Sequence, residues 1–71
     1  MPSSVAVDGD LIKRLREEKG LERSELAELA GVTPHRMYVI EGLQKRTRLK
    51  TLRKISLALG VEPPKLVDKT R

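Results

Sequence analysis

Four of the six residues from Lys45 to Lys50 are basic: Lys45, Arg46, Arg48 and Lys50. Ammonium and guanidinium groups at that density hold anionic oxygens, through charge and through the forked donors of arginine. Taken alone, such a run reads equally well as a solvated loop. Its setting favours a ligand. Residues 1–30 carry five basic and seven acidic side chains, and residues 31–71 carry ten basic and three acidic, so the +5 chain is −2 before Gly31 and +7 from Gly31 onward. A field of that sign suits a polyanion, and nucleic acid is the common one.

Other chemistries find little support. The chain has one histidine, His35, and no cysteine. Thiolate zinc sites, cysteine nucleophiles and disulfides are thereby excluded, and a reducing compartment is compatible. The carboxylates Glu17, Glu18, Glu22, Glu25 and Glu28 have the spacing of solvated helix faces, and no glycine-rich phosphate loop is present. No catalytic activity, metal or cofactor is expected. Met1–Val7 lacks the pattern of a signal peptide. No apolar run approaches the roughly 20 residues that cross a bilayer. The expectation is a cytoplasmic protein without membrane attachment.

These groups need a scaffold. Seventy-one residues with 38% apolar content allow a single small core. Residues 1–7 read as a flexible arm. A first helix starts near Asp8 or Asp10, either of which can cap it, carries Leu11, Ile12 and Leu15, and stops at Gly20. A second runs from about Arg23 to Ala30, buries Leu26, Ala27 and Ala30, and ends at Gly31. Its cap is weak, because Glu22 stands where Ser or Asp would serve better, and Ser24 offers a later start. The third has the best start signal, Thr33 as cap and Pro34 at the first helical position, with Met37 and Ile40 inward and a stop at Gly42. A basic loop leads to a fourth helix from about Leu49 to Leu59, with Leu49, Leu52, Ile55, Ser56 and Leu59 at helical spacing and Gly60 at its end. Pro63-Pro64 opens a last turn through Val67, with Leu66 pointing back, and residues 68–71 should fray. No strand pattern is visible. The predicted fold class is all-α, a compact bundle of four to five helices with a domain over residues 8–67.

The join between the second and third helices is Gly31-Val32-Thr33: a glycine releases the chain, an apolar residue plugs the core, and a cap starts the next helix. This is a helix-turn-helix layout. The stretches Leu15-Arg16-Glu17-Glu18-Lys19-Gly20-Leu21, Glu25-Leu26-Ala27-Glu28-Leu29-Ala30-Gly31-Val32-Thr33, Ile40-Glu41 and Leu52 through Val61 resemble the lambda repressor and Cro type of DNA-binding domain.

That resemblance implies a DNA-binding transcription regulator of the small phage or bacterial kind, acting on double-stranded DNA in the bacterial nucleoid or a phage-infected host. It implies a structural salt bridge between Arg16 and Glu41. It implies that Pro34, His35, Tyr38 and Val39 face the bases, with Arg36 able to reach a guanine or the backbone. Arg23, at a position where the family commonly has a glutamine, Thr33, Lys45, Arg46 and Arg48 are the implied phosphate contacts. Two positions depart from the pattern. Gly42-Leu43 follows Glu41 where a polar residue and then glycine are usual, and Thr47 replaces a common proline. Leu11, Leu29, Leu43, Leu57 and Val67 exceed what so small a core holds. Family members usually dimerise through their C-terminal part, so Leu57, Leu66 and Val67 are the implied contacts of a homodimer. Such a dimer would set two reading helices about 34 Å apart. No inducer-binding domain is expected. The competing reading is a protein-interaction module on the same fold, such as an antitoxin or adaptor.

Overall fold

The computed structural model describes residues 4–68. Its elements are β1 (Ser4–Ala6), α1 (Gly9–Glu18), α2 (Arg23–Ala30), α3 (Pro34–Tyr38) running into one π-helical turn (Val39–Leu43), β2 (Arg46–Arg48), α4 (Leu49–Leu59) and α5 (Pro63–Leu66). Helices dominate, and the mostly-α bundle matches the class expected from the pattern. Val7, Ile12, Leu26, Ala27, Ala30, Met37, Ile40, Leu52, Ile55, Leu59 and Leu66 form its single core.

Local chemistry sets the helix ends. Asp8 caps α1, its Oδ1 accepting from the Leu11 amide at 3.0 Å. At α2 the expected start holds and the alternative one does not. The helix begins at Arg23 with Glu22 as its cap residue, not later at Ser24. Glu25 reaches back, its Oε1 accepting from the Glu22 amide at 2.8 Å. The two glutamates thus form a reciprocal capping box, so Glu22 serves as a cap better than its type suggests. Gly31 ends α2 at φ 73°, a left-handed conformation that costs glycine little. The Val32 amide then donates back to the Ala27 carbonyl at 2.9 Å, and Val32 packs on the core.

Three further expectations are overturned. Gly42 does not stop the third helix. The helical path continues to Leu43 in a wider turn, the Gln44 amide donating to the Val39 carbonyl at 3.0 Å. The residue that breaks the path is Lys45, at φ 55°. A left-handed lysine costs about 1–2 kcal/mol, offset here because its carbonyl accepts from the Val7 amide at 2.8 Å.

The basic segment is not a plain loop, and a sheet is present. β2 pairs antiparallel with β1 in the register Ser4↔Arg48, Val5↔Thr47, Ala6↔Arg46. Thr47, at the proline position of the family pattern, is 2% exposed and sits between two outward arginines, as strand alternation requires.

Residues 4–7 are therefore not a free arm. Val7 is fully buried and bridges to Val67. The Asp8 amide donates to the Leu66 carbonyl at 2.8 Å, and the Asp68 amide to the Ala6 carbonyl at 3.0 Å. Two strands of three residues are marginal alone; burial of Val7 and these flanking bonds hold them. The remainder of the expected arm, residues 1–3, and of the expected tail, residues 69–71, lies outside the described residues.

Candidate nucleic-acid interface

The candidate surface is built on α3. The Thr33 Oγ1 accepts from the Arg36 amide at 3.0 Å, and Pro34 occupies the first turn without an amide to satisfy. Met37 and Ile40 are fully buried and fix the helix to the body. The opposite face carries Pro34, His35 and Tyr38, all exposed, with Arg36 and Val39 half-buried. Tyr38 is 44% exposed, too open to be a core residue. Its ring lies 6.3 Å from that of His35. Arg36 turns along the helix, its Nη1 donating to Oε1 of Gln44 at 3.2 Å.

Beneath this face lies a buried ion pair. The Nε of Arg16 donates to Oε2 of Glu41 at 2.8 Å, and its Nη2 to Oε1 at 3.3 Å. The remaining nitrogen, Nη1, donates to the Leu21 carbonyl at 3.0 Å. Among the described residues no buried side-chain nitrogen or oxygen is left without a partner. The π turn matters here, because it carries both Ile40 and Glu41 into the interior. Arg23 joins from the start of α2, with Nε 3.4 Å from Oε1 of Glu41 and its guanidinium carbon 5.2 Å from the centre of the Tyr38 ring.

The basic segment forms a second part. Arg46 and Arg48 are exposed on β2. The Nη2 of Arg46 donates to the Ser4 carbonyl at 3.3 Å and to its Oγ at 3.2 Å. The Lys45 ammonium lies 3.6 Å from Oδ2 of Asp10, an exposed pairing of little energetic weight. Ser4, Asp10 and Gln44, which sequence reasoning does not single out in this role, are partners of Arg46, Lys45 and Arg36. For Ser4 no local signal exists, since its partner is 42 positions away. Gln44 is eight residues from Arg36 and would have been visible had the helix been carried past Gly42.

The three C-terminal apolar residues do not share a surface. Leu57 is 82% exposed, whereas Leu66 is fully buried. Leu66 is a core residue of the single chain and is not available to a second copy. It faces inward because the prolines start α5 at Pro63 and the helix lies against α1 and α4. Val67 is half-buried against the core. Leu29 and Leu43 are exposed, and Leu11 packs on the core's edge. No helix among the described residues is long and apolar enough to cross a membrane.

Two short helices joined by a glycine-led turn, with the second held proud by its own buried residues, define a helix-turn-helix domain. The family model described as helix-turn-helix matches residues 12–66, and the chain belongs to that family. It is similar to the HTH-type transcriptional regulator SinR of Bacillus subtilis (strain 168), with 43% identity over 61 residues. That match covers 84% of this chain and 55% of SinR, so the chain spans about half the length of this curated relative. Among solved structures, it resembles SinR, master regulator for biofilm formation, in complex with DNA. There the TM-score is 0.77 at 43% identity, covering 84% of this chain and 97% of that one. It also resembles the restriction-modification controller protein C.AhdI from Aeromonas hydrophila, with TM-score 0.74, 32% identity and coverage of 80% and 86%.

Proposed function

We propose that the protein is a sequence-specific regulator of transcription that binds double-stranded DNA with α3 in the major groove. The carrying observation is the two-sided character of that helix: Met37 and Ile40 are fully buried, while His35 and Tyr38 stand in solvent. Tyr38 and Val39 supply apolar contact for a thymine methyl, His35 donates or accepts at a base edge, and Arg36 reads guanine when released from Gln44. Thr33, Lys45, Arg46 and Arg48 hold phosphates and fix the register without reading sequence. A solved complex of SinR with DNA supports the reading. So does the +7 charge of residues 31–71. The protein acts where the DNA is, in the cytoplasm.

Mobility-shift titration against a random duplex pool over a salt series tests it. Selected duplexes should share a site, and log K should fall linearly with log salt at about −0.9 per phosphate held. Absence of binding to any duplex at about 50 mM salt, the permissive end of that range, overturns the proposal. A palindromic site would indicate a two-fold dimer, for which the exposed Leu57 and the half-buried Val67 are the remaining apolar candidates.

The exposure of Leu29 (55%), Leu43 (64%) and Leu57 (82%) favours a second reading, a protein-interaction module such as an antitoxin or adaptor. It predicts capture of a protein partner and no selection of a shared site from the duplex pool, any residual contact with DNA being sequence-blind and lost as salt rises.

A further inference from the structure

Arg23 differs from the other cations of the interface in how its guanidinium is used. Its side chain is 38% exposed, and its Nε lies 3.4 Å from Oε1 of Glu41, a carboxylate that is itself 2% exposed. Glu41 does not depend on it, because Arg16 holds the same carboxylate through two donors, at 2.8 and 3.3 Å. What does depend on Arg23 is Tyr38. The guanidinium carbon is 5.2 Å from the centre of the Tyr38 ring, within the reach of a cation–π contact. The core does not fix that ring, since Tyr38 is 44% exposed. Its other aromatic contact is the exposed ring of His35, 6.3 Å away and tilted by 35°. A planar, pre-organised guanidinium anchored at one end on a buried carboxylate is suited to holding an exposed ring in one orientation.

We infer that Arg23 is a positioning residue for base recognition: anchored on Glu41, it clamps the Tyr38 ring and so sets the preference at the base pair that Tyr38 contacts. The inference rests on the DNA-binding reading and changes the role of Arg23 within it. A phosphate grip uses the charge of the side chain, and a clamp uses its plane. Arg23→Lys keeps the charge, and with it part of the attraction to the ring, but loses the planar fork that anchors on Glu41 and fixes the ring's orientation.

The test uses the full chain as wild type, Arg23→Lys, Arg23→Ala, Tyr38→Ala and the Arg23→Lys/Tyr38→Ala double variant. Each is taken through selection from a random duplex pool, with circular dichroism confirming the fold. Arg23→Lys should keep the salt slope and weaken preference at the same base pair that Tyr38→Ala affects. The loss at that position should be about three- to fivefold, the size of one exposed cation–π contact. In the Tyr38→Ala background the lysine substitution should change nothing further. If instead Arg23→Lys leaves every preference intact while Arg23→Ala weakens all duplexes alike and lowers the salt slope by about 0.9, Arg23 grips phosphate and the clamp is wrong.

A second readout needs no DNA. Tyr38 is the chain's sole aromatic apart from His35, so tyrosine fluorescence reports on it alone. Arg23→Lys should shorten the anisotropy decay of the free protein. An unchanged decay overturns the clamp even where DNA binds, and a shortened decay without DNA binding overturns the regulator reading while leaving the clamp standing as a feature of the free protein.

Discussion

The Arg16 guanidinium holds the Glu41 carboxylate through two of its nitrogens, and the two side chains are 7% and 2% exposed. The pair ties α1 to the π turn that follows α3. A buried pair adds little net stability over an apolar substitute, but removing one member strands the other charge and costs about 3–5 kcal/mol. A small domain has only about 5–15 kcal/mol in all. Glu41→Ala, which strands the buried Arg16, should therefore lower the melting temperature by tens of degrees, at about 4–8 °C per kcal/mol, and Arg16→Ala by less, because Arg23 still lies 3.4 Å from the Glu41 carboxylate. The Arg16→Met/Glu41→Leu double variant should lose less than either single change. Thermal denaturation followed by circular dichroism measures all three. Equal losses in the singles and the double would show that packing, and not stranded charge, sets the cost.

Gly9 is required by approach, not by its backbone angle. A methyl group built there would overlap the Glu41 carbonyl oxygen and crowd that of Ile40. Both neighbours are main chain and belong to the turn that positions Glu41, so neither can swing aside. Overpacking of this kind costs typically about 1–3 kcal/mol, and backbone neighbours place Gly9→Ala at the upper end. Urea denaturation should show the midpoint falling with the slope unchanged. Gly42→Ala is the control, because the space around that position is open.

The elements legible in the sequence were those whose signals are local. α1, α2 and α4 follow from leucines and isoleucines three and four residues apart, and the start of α3 follows from Thr33-Pro34. The outward set on α3 comes from the family resemblance, and only Met37 and Ile40 as its inward residues follow from the chain's own pattern. What was not legible depends on distant partners. Ser4-Val5-Ala6 is too short to show alternation, and it is a strand only because residues 46–48 lie beside it. Gly42 looks like a stop, yet the break is made by Lys45, whose left-handed angle is stabilised by Val7. Arg16 and Glu41 are 25 positions apart, and only resemblance to a family linked them. Leu66 is implied as a dimer contact only by where the family dimerises; the turn at Pro63-Pro64 has it pointing back, and it is fully buried.

Val7 follows from that second group. It is fully buried at the junction of β1 with residues 66–68, although its position in the sequence suggested a loose arm. Burying a valine side chain contributes about 1.5–3 kcal/mol, so Val7→Ala should cost about 2 kcal/mol. Val5→Ala, at a half-buried position, should cost clearly less. Hydrogen exchange adds a sharper check. The Val7 amide, bonded to the Lys45 carbonyl at 2.8 Å, should be protected to nearly the same degree as core helix amides, whereas a loose arm would exchange at once.

Arg46 and Arg48 should behave alike in DNA binding and differently in the free protein. Both project from β2 on the side opposite the buried Thr47. Arg46→Ala and Arg48→Ala should each weaken binding to all duplexes and lower the salt slope by about 0.9. Arg46 additionally donates to the carbonyl and hydroxyl oxygens of Ser4, bonds at an exposed site worth roughly 0.5–1.5 kcal/mol. Arg46→Ala should therefore also lower the melting temperature by a few degrees, and Arg48→Ala should not. A change of base preference in either variant would mean that β2 reads sequence.

The two leucines once grouped as a dimer contact separate cleanly by experiment. Leu66 is fully buried in the core of one chain, and Leu57 is 82% exposed. Leu66→Ala should cost about 2–5 kcal/mol, as a large-to-small change in a packed core, whatever the protein concentration. Leu57→Lys should leave stability within about 0.5 kcal/mol, since it leaves an aqueous position aqueous. Any effect it has must then pass through a second copy. In sedimentation equilibrium the proposed dimer predicts that Leu57→Lys lowers the weight-average mass toward that of one chain. In mobility shifts on a palindromic duplex it predicts that the two bound species form independently. If wild type and variant sediment identically, Leu57 makes no contact between copies.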